Sequence, residues 1–242
     1  SSGDPNAKDA SDATVSDVAT NDTCDEPGLV VRLRFDDPQA KVYAKDCTSN
    51  HHDGVYGGAS SYTIGTRNGG GSFEINGSAF VSIPASPSFE VAGALTVASF
   101  VRSAALPSGY LGVPWHFPGA GYELTMASSG KLYAQLSIMG AADLLYAEYP
   151  TTGLASWTHL AMVYEPGVRF EIFTNGKSTL LTPIDGMDGH VLVNGAPTSA
   201  AGSDVRLGSI FDNATSWQGG VDDVRIYARA LSAAEIQALA AQ

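Results

Sequence analysis

Oxygen-bearing side chains fall in three segments of the chain that could together bind a divalent cation. They are Asp36, Asp37, Asn50, Asp53, Asp222 and Asp223. Calcium takes about six to eight oxygen ligands from carboxylates, amides and backbone carbonyls. The first two segments lie near the start of the chain and the third near its end. We therefore predict a structural calcium ion that joins the two.

The adjacent acids Asp222 and Asp223 interrupt an otherwise apolar run at 221–226. Burying two carboxylates is costly unless another group compensates their charge. Strand alternation would place the two side chains on opposite faces, with one as a ligand and the other at the surface or paired with Arg225. The alternative is that no metal binds and that Arg34, Arg225 and turn amides hold the carboxylates.

A group of aromatic side chains could bind a sugar ring by stacking. The candidate residues are Tyr110, Trp115, His116, Phe117 and Trp217. Aromatic residues also fill protein cores, so burial is the alternative for this group. For Tyr122 and Trp157 we prefer the core interpretation.

The acids do not show the spacing of a hydrolase. Retaining glycosidases need two carboxyl groups about 5–5.5 Å apart. Neither Glu165 with Glu171 nor Asp185 with Asp188 matches the Glu-x-Asp-x-x-Glu strand of laminarinase-type enzymes. We predict no catalytic residue.

His51 and His52 could bind zinc together with Asp53, and the alternative is an ordinary surface turn. Adjacent histidines in a loop point apart, whereas zinc needs three or four ligands in a fixed geometry. We prefer the surface turn.

The two cysteines, Cys24 and Cys47, show no metal-binding or redox spacing. An even, minimal number of cysteines is typical of one disulfide in an exported protein. Two free buried thiols are the alternative. The disulfide would attach the acidic N-terminal segment to the folded domain.

These residues must be positioned by β-strands, because apolar residues alternate with a period of two in short runs. Asn76-Gly77, Ser129-Gly130, Pro166-Gly167 and Asn175-Gly176 separate consecutive runs and predict hairpins. Near the end, the run from Ser232 to Glu235 has the sequence of a helix capping box. The fold class is thus all-β: an antiparallel β-sandwich of jelly-roll type with one short C-terminal helix.

Composition limits the function further. The 242-residue chain carries a net charge of −12, which argues against nucleic-acid binding. No apolar run is long enough to span a membrane. Residues 1–26 hold seven acids and one base with few apolar side chains, and we predict an acidic flexible tether followed by one domain at 27–242.

Several segments resemble one family. They are Leu33–Asp37, Asp46–Gly54, Phe73–Arg102, Trp157–Leu160, Val168–Lys177 and Gly220–Leu239. Together they are similar to laminin-G-like, concanavalin A-like jelly-roll domains of the bacterial secreted type, over residues 28–242. The resemblance implies a structural calcium ion whose ligands include a backbone carbonyl of the Gly/Asn-rich loop. The chain departs from the pattern at Cys47, His51 and His52.

The function that these features favour is a non-catalytic, exported binding module for carbohydrate or an extracellular protein. The Ser1-Ser2-Gly3 start resembles a lipoprotein cleaved behind its lipid-bearing cysteine, so we expect a secreted or cell-surface protein. One alternative is a self-assembling surface or filament subunit that uses the N-terminal tail. A glycoside hydrolase is the weakest alternative.

Overall fold

The chain forms two antiparallel sheets and one helix. The computed structural model describes residues 24–37, 42–58, 63–91, 93–103, 110–116, 122–127, 130–137, 144–150, 154–180, 182–183, 202–209 and 217–242. The elements are β1 (Leu29–Leu33), β2 (Tyr43–Ala44), β3 (Gly54–Gly57), β4 (Thr63–Arg67), β5 (Gly70–Ile75), β6 (Phe80–Ile83), a short 3-10 helix (Pro87–Phe89), β7 (Leu95–Ser103), β8 (Tyr110–His116), β9 (Tyr122–Ala127), β10 (Lys131–Ser137), β11 (Leu144–Pro150), β12 (Thr158–Glu165), β13 (Arg169–Thr174), β14 (Lys177–Leu180), β15 (Thr182–Pro183), β16 (Val205–Leu207), β17 (Gly219–Tyr227) and α1 (Ala233–Ala240).

The strand order confirms the predicted sandwich. Among the described strands, the first sheet has the order β14-β13-β12-β7-β17-β5-β4, with β1 also paired to β17. The second sheet has the order β15-β11-β10-β9-β8-β16-β6-β3-β2. The last long strand, β17, therefore lies inside the first sheet and contacts the first strand, which brings the two acidic segments close together.

One hydrophobic core fills the space between the sheets. Phe73 and Val221 of the first sheet and Val81 and Leu124 of the second belong to it and are fully buried. Within each strand the core residues lie two positions apart, as Phe73 and Ile75 do in β5, so the period-two pattern of the sequence correctly identifies the side chains that face the core.

A second, smaller core lies between the first sheet and α1. It contains Phe173 and Tyr227 of the sheet together with Ile236 and Leu239 of the helix. The predicted capping box is present, because Ser232 accepts a bond from the Glu235 amide while the Glu235 carboxylate accepts one from the Ser232 amide. The helix thus covers part of the outer face of the first sheet.

One predicted hairpin is wrong. The strands on either side of Asn76-Gly77 are β5 and β6, which belong to different sheets. The turn takes the chain from the first sheet to the second. Each sheet contributes apolar side chains of these two strands to the core between the sheets. The hairpins at Ser129-Gly130, Pro166-Gly167 and Asn175-Gly176 are confirmed by direct pairing of their strands.

Candidate functional site

The first and last strands meet at a bulge in β17. Residues 219–221 of β17 pair with β5, whereas residues 224–227 pair with β1 on the same edge. The register on the other edge, against β7, shifts between Asp222 and Arg225. Asp223 has a φ of 48°, in the left-handed region. A bulge puts an extra residue into one strand and redirects its side chains.

The bulge overturns the expected alternation of the two acids. Asp222 and Asp223 both line one cavity instead of facing opposite ways. Both are almost fully buried, at 4% and 6% exposure. Three arginines from different strands surround them, and we call the set Arg32, Arg67, Asp222, Asp223 and Arg225 the arginine–aspartate cluster.

Asp223 is held by two arginines. Its Oδ1 accepts a bond from Arg32 Nε at 2.7 Å, and its Oδ2 accepts one from Arg225 Nη2 at 2.7 Å. Burial alone would raise the pKa of Asp223, but the hydrogen bonds and charges of the two arginines outweigh it and lower that pKa. Asp223 therefore stays ionised, and the expected pairing with Arg225 is present.

Asp222 has a different environment. Arg67 forms an ion pair with it and stacks on the ring of Phe100 at 3.7 Å. Burial nevertheless raises the pKa of Asp222 to about 6, against the lowering effect of Arg67. Nearby His159 contacts the same ring at 5.0 Å, and burial together with the charges of Arg225 and Arg67 lowers its pKa to about 4.

Asp36 lies three residues after the end of β1. Its Oδ2 pairs with Arg34 Nε at 2.9 Å and its Oδ1 accepts the Gly71 amide at 2.9 Å. Preceding it, Phe35 has a φ of 55° and turns the chain toward β5. A Cβ on Gly71 would lie 1.8 Å from the Phe35 carbonyl oxygen. Glycine at 71 therefore permits the contact that fixes Asp36.

The loop between residues 46 and 53 is closed by its own carboxylates. Asp46 accepts bonds from the Thr48 and His52 amides, and Asp53 pairs with Lys45. Asn50 donates to a β1 carbonyl. The sequence predicts metal ligands in this loop but does not identify a role for Asp46. Its hydrogen bond to the His52 amide, six residues further along the chain, is seen only in the structure.

Three carboxylates of the predicted calcium set are paired with arginines. Within the described ranges, no three Asp, Glu, His or Cys side chains converge as a metal site would require. The carboxylates of Asp36, Asp222 and Asp223 each have an arginine partner, and arginine would repel a cation placed between them. The arrangement corresponds to the alternative with arginines and turn amides, and calcium binding stays a prediction.

Three cavities share Arg34 and Asp36. One of about 380 Å³ extends to the arginine–aspartate cluster, one of about 780 Å³ runs along the glycines of the β4–β5 turn, and one of about 220 Å³ reaches Tyr56. We call their union the Arg34–Asp36 groove. Its described lining is polar beside the arginine–aspartate cluster and more apolar at the end formed by Phe35 and Tyr56, where the rings of Tyr56 and Phe73 pack in a tilted arrangement 5.3 Å apart.

The predicted aromatic group is only partly described. Tyr110, Trp115 and His116 lie in β8, and Phe117 lies outside the described residues. Trp217 is a correction: it is 1% exposed, and its indole N–H donates to the Arg102 carbonyl at 3.1 Å. A buried indole with a satisfied N–H offers no face to a sugar.

Two further aromatic predictions have different outcomes. Tyr122 is in the core, 2% exposed, and burial raises the pKa of its hydroxyl. Trp157 is only half-buried and lies across Gly220, where a Cβ would be 2.3 Å from the ring. The core interpretation is therefore wrong for Trp157, since the absence of a side chain at position 220 makes room for the indole on the outer face of the sheet.

Three further candidate residues of the sequence have structural partners. The His52 ring packs against Phe89 in a tilted arrangement at 4.8 Å and forms a hydrogen bond with Ser88, while Glu165 and Glu171 both pair with Arg169. Asp185 and Asp188 lie outside the described residues. The two glutamates neutralise one guanidinium, which also donates to the Leu231 carbonyl before α1.

The predicted disulfide is confirmed. Cys24 and Cys47 are bonded, with their Cα atoms 5.5 Å apart, and the Cys24 amide also bonds to the Cys47 carbonyl. The bridge holds the segment before β1 against the loop that ends at Asp53. Among the described residues, no helix is long and apolar enough to cross a membrane.

Several solved structures with the same fold are binding domains. The binding domain of Paraclostridial Mosquitocidal Protein 1 aligns with a TM-score of 0.66 and 14% identity over 88% of this chain and 52% of that one. Domain 4 of the extracellular GH43 arabinanase AbnA from Geobacillus stearothermophilus, solved with arabinotriose, aligns with a TM-score of 0.62 and 19% identity over 89% of this chain and all of that one.

A third similar structure comes from botulinum neurotoxin type C, whose cell entry depends on interaction with two ganglioside molecules. It aligns with a TM-score of 0.57 and 10% identity over 88% of this chain and 51% of that one. The chain thus spans about half the length of the toxin structures. At these identities the likeness shows the fold alone.

Sequence comparison agrees with the fold. No curated protein matches the sequence significantly. The Laminin G family profile, described as the concanavalin A-like lectin/glucanases superfamily, matches residues 75–237, which is most of the segment that resembled this family. The chain belongs to the concanavalin A-like lectin/glucanases superfamily.

Proposed function

We propose that the chain is a non-catalytic, exported binding module that recognises carbohydrate through the Arg34–Asp36 groove. The observation that carries the proposal is the convergence of three cavities on one exposed ion pair. Ligand pockets commonly have volumes of about 300–1,000 Å³ and a few convergent polar groups. Two of the three cavities, of about 380 and 780 Å³, fall within this range, and Arg34 and Asp36 line both of them.

The chemistry of the lining suits a polyhydroxylated ligand. Arg34 offers donors, Asp36 offers acceptors, and the ring of Tyr56 offers an apolar surface in the same groove. Sugars present hydroxyl groups that both donate and accept, together with C–H faces that pack on aromatic rings. The arabinotriose complex of the arabinanase domain supports carbohydrate as the ligand class for this fold.

Two observations support export and the absence of catalysis. The Cys24–Cys47 disulfide is of the kind that persists in oxidising compartments. The candidate acids Glu165 and Glu171 are both engaged by Arg169, so they do not form a nucleophile and acid pair around an open groove. Attachment through a lipid remains an expectation.

Blocking the groove tests the proposal. Thr66 is exposed in its wall, so Thr66→Trp would fill the groove, while Val168→Trp adds the same indole to a turn with 59% exposure outside it. On an array of neutral and acidic oligosaccharides, we expect the unmodified chain and Val168→Trp to bind alike and Thr66→Trp to bind at least tenfold more weakly. Equal binding by all three proteins, or release of reducing sugar from the bound glycan, would contradict it.

A second candidate, self-association, has one observation in its favour. Tyr43 of β2, the edge strand of the second sheet, is exposed together with its partner Val55 on the neighbouring strand β3 and with Val42 at 56% exposure. Exposed apolar edge strands promote pairing with other chains. Light scattering of the unmodified chain and of Val42→Lys tests this. Most of the predicted tail, residues 1–23, lies outside the described residues, so its part in assembly stays a prediction.

A further inference from the structure

We infer that the Arg34–Asp36 ion pair is a subsite for an uncharged sugar, which it holds by two adjacent hydroxyl groups. The inference rests on the proposed function and adds the chemical class of the ligand. It draws on the geometry of the pair, on the charges around it and on the rigidity of its support.

The pair presents a donor and an acceptor side by side. Arg34 Nε and Asp36 Oδ2 are 2.9 Å apart, and the two side chains remain 43% and 40% exposed. One hydroxyl of a vicinal diol donates to the carboxylate while its neighbour accepts from the guanidinium. Hydrogen bonds to charged groups are the stronger ones, so two adjacent hydroxyls gain more here than at neutral side chains.

The charges of the groove disfavour an acidic sugar. Each described basic side chain that lines it already faces a carboxylate: Arg34 faces Asp36, Arg67 faces Asp222 and Lys45 faces Asp53. An anionic ligand would have to compete with these carboxylates for the same cations. The chain as a whole carries a net charge of −12, which adds long-range repulsion.

The carboxylate is fixed before a ligand arrives. Asp36 Oδ1 accepts the Gly71 amide at 2.9 Å, and a Cβ on Gly70 would lie 2.5 Å from that same oxygen. Because both residues lack a side chain, the backbone at Gly70 and Gly71 can contact Oδ1 of Asp36 closely, while Oδ2 pairs with Arg34. Such preorganisation lowers the entropy that binding must overcome.

The experiment compares matched neutral and acidic probes on the full chain. Lactose is compared with 3′-sialyllactose, and carboxyl-reduced trigalacturonate with its unreduced form, alongside arabinotriose, xylotriose and cellotriose. Arg34→Gln and Asp36→Asn remove the charges of the pair. Arg102→Gln is the matched control, because Arg102 pairs with Glu74 at 2.7 Å, is similarly exposed at 39% and does not line the groove.

We expect at least one neutral probe to bind more tightly than any acidic probe. Its Kd should rise at least tenfold in Arg34→Gln and in Asp36→Asn, and less than twofold in Arg102→Gln, with unchanged melting temperatures. Preference for an acidic probe, or unchanged affinity in both groove variants, would overturn this inference while a glycan-binding module stands. Binding of no probe at millimolar concentration would overturn the inference and the proposed function together.

Discussion

The guanidinium carbon of Arg67 lies 3.7 Å from the centre of the Phe100 ring. The same arginine pairs with Asp222, which is in register with Phe100 on the neighbouring strand. Ring, guanidinium and carboxylate come from β7, β4 and β17, so they join three strands of one sheet. The arginine and aspartate side chains are only 10% and 5% exposed, which leaves little water to screen them.

Removing Arg67 should destabilise the fold strongly. Arg67→Met leaves the Asp222 carboxylate buried without its cation, and breaking such a pair typically costs about 3–5 kcal/mol. We expect the free energy of unfolding, measured by urea denaturation, to fall by roughly this amount. The double variant Arg67→Met/Asp222→Leu should recover much of the loss, because it removes both charges. A single variant as stable as the unmodified chain would contradict the account.

His159 should make stability depend on pH. Its pKa is lowered to about 4 in the fold, mainly by burial, from an ordinary value of 6.5. The unfolded chain thus binds a proton between pH 6.5 and 4 that the folded chain excludes, so this contribution is fully present above pH 6.5 and is lost as pH falls. Compared with His159→Gln, the unmodified chain should lose on the order of 3 kcal/mol over that range. A constant difference between the two proteins across these pH values would exclude the effect.

In the alternative in which arginines take the place of the predicted ion, calcium should leave stability unchanged. Asp36, Asp222 and Asp223 each have an arginine partner, so these three carboxylates at the junction of β1 and β17 are already compensated. An ion that binds only the folded state would add about 2.7 kcal/mol at a hundredfold excess over its Kd. We expect equal melting temperatures in millimolar calcium and in chelator. A calcium-dependent rise that Asp223→Asn abolishes would establish the metal site that the sequence predicts.

The Cys24–Cys47 bridge should contribute measurably to stability. It closes a segment with a sequence separation of 23 residues, and loops of that size are worth roughly 3 kcal/mol in the chain-entropy account. Reduction should therefore lower the melting temperature of the unmodified chain. The Cys24→Ser/Cys47→Ser variant serves as the control, since its lower melting temperature should not respond to reductant. A reductant response in that variant would mean that another effect is being measured.

The sequence predicted the scaffold better than the site. Alternation marked buried positions such as Val221 and Leu124 because a half-buried strand imposes a period of two. The capping box between Ser232 and Glu235 was also readable, because both of its bonds are local. The hairpin predicted at Asn76-Gly77 is wrong because a tight turn does not determine whether the next strand pairs in the same sheet.

The charged cluster was beyond sequence reasoning for a related reason. Arg67 and Asp222 are separated by 155 positions, and no local pattern links them. The bulge at Asp223, with its φ of 48°, also cancels the alternation that would have separated the two acids. Arg225 was predicted as a partner because it lies two residues from Asp223, within the reach of local inference.

A single methyl group at Gly71 should disturb the groove more than one elsewhere. Its Cβ would lie 1.8 Å from the Phe35 carbonyl oxygen, a backbone atom that cannot move without shifting Asp36. Gly71→Ala should therefore lower the melting temperature and weaken glycan binding together. Gly93→Ala is the matched control, because no heavy atom lies within 4 Å of its added Cβ and its chain conformation suits alanine. Differential scanning fluorimetry and the oligosaccharide array provide the two measurements. Equal effects of the two substitutions would show that the Phe35–Gly71 contact does not support the groove.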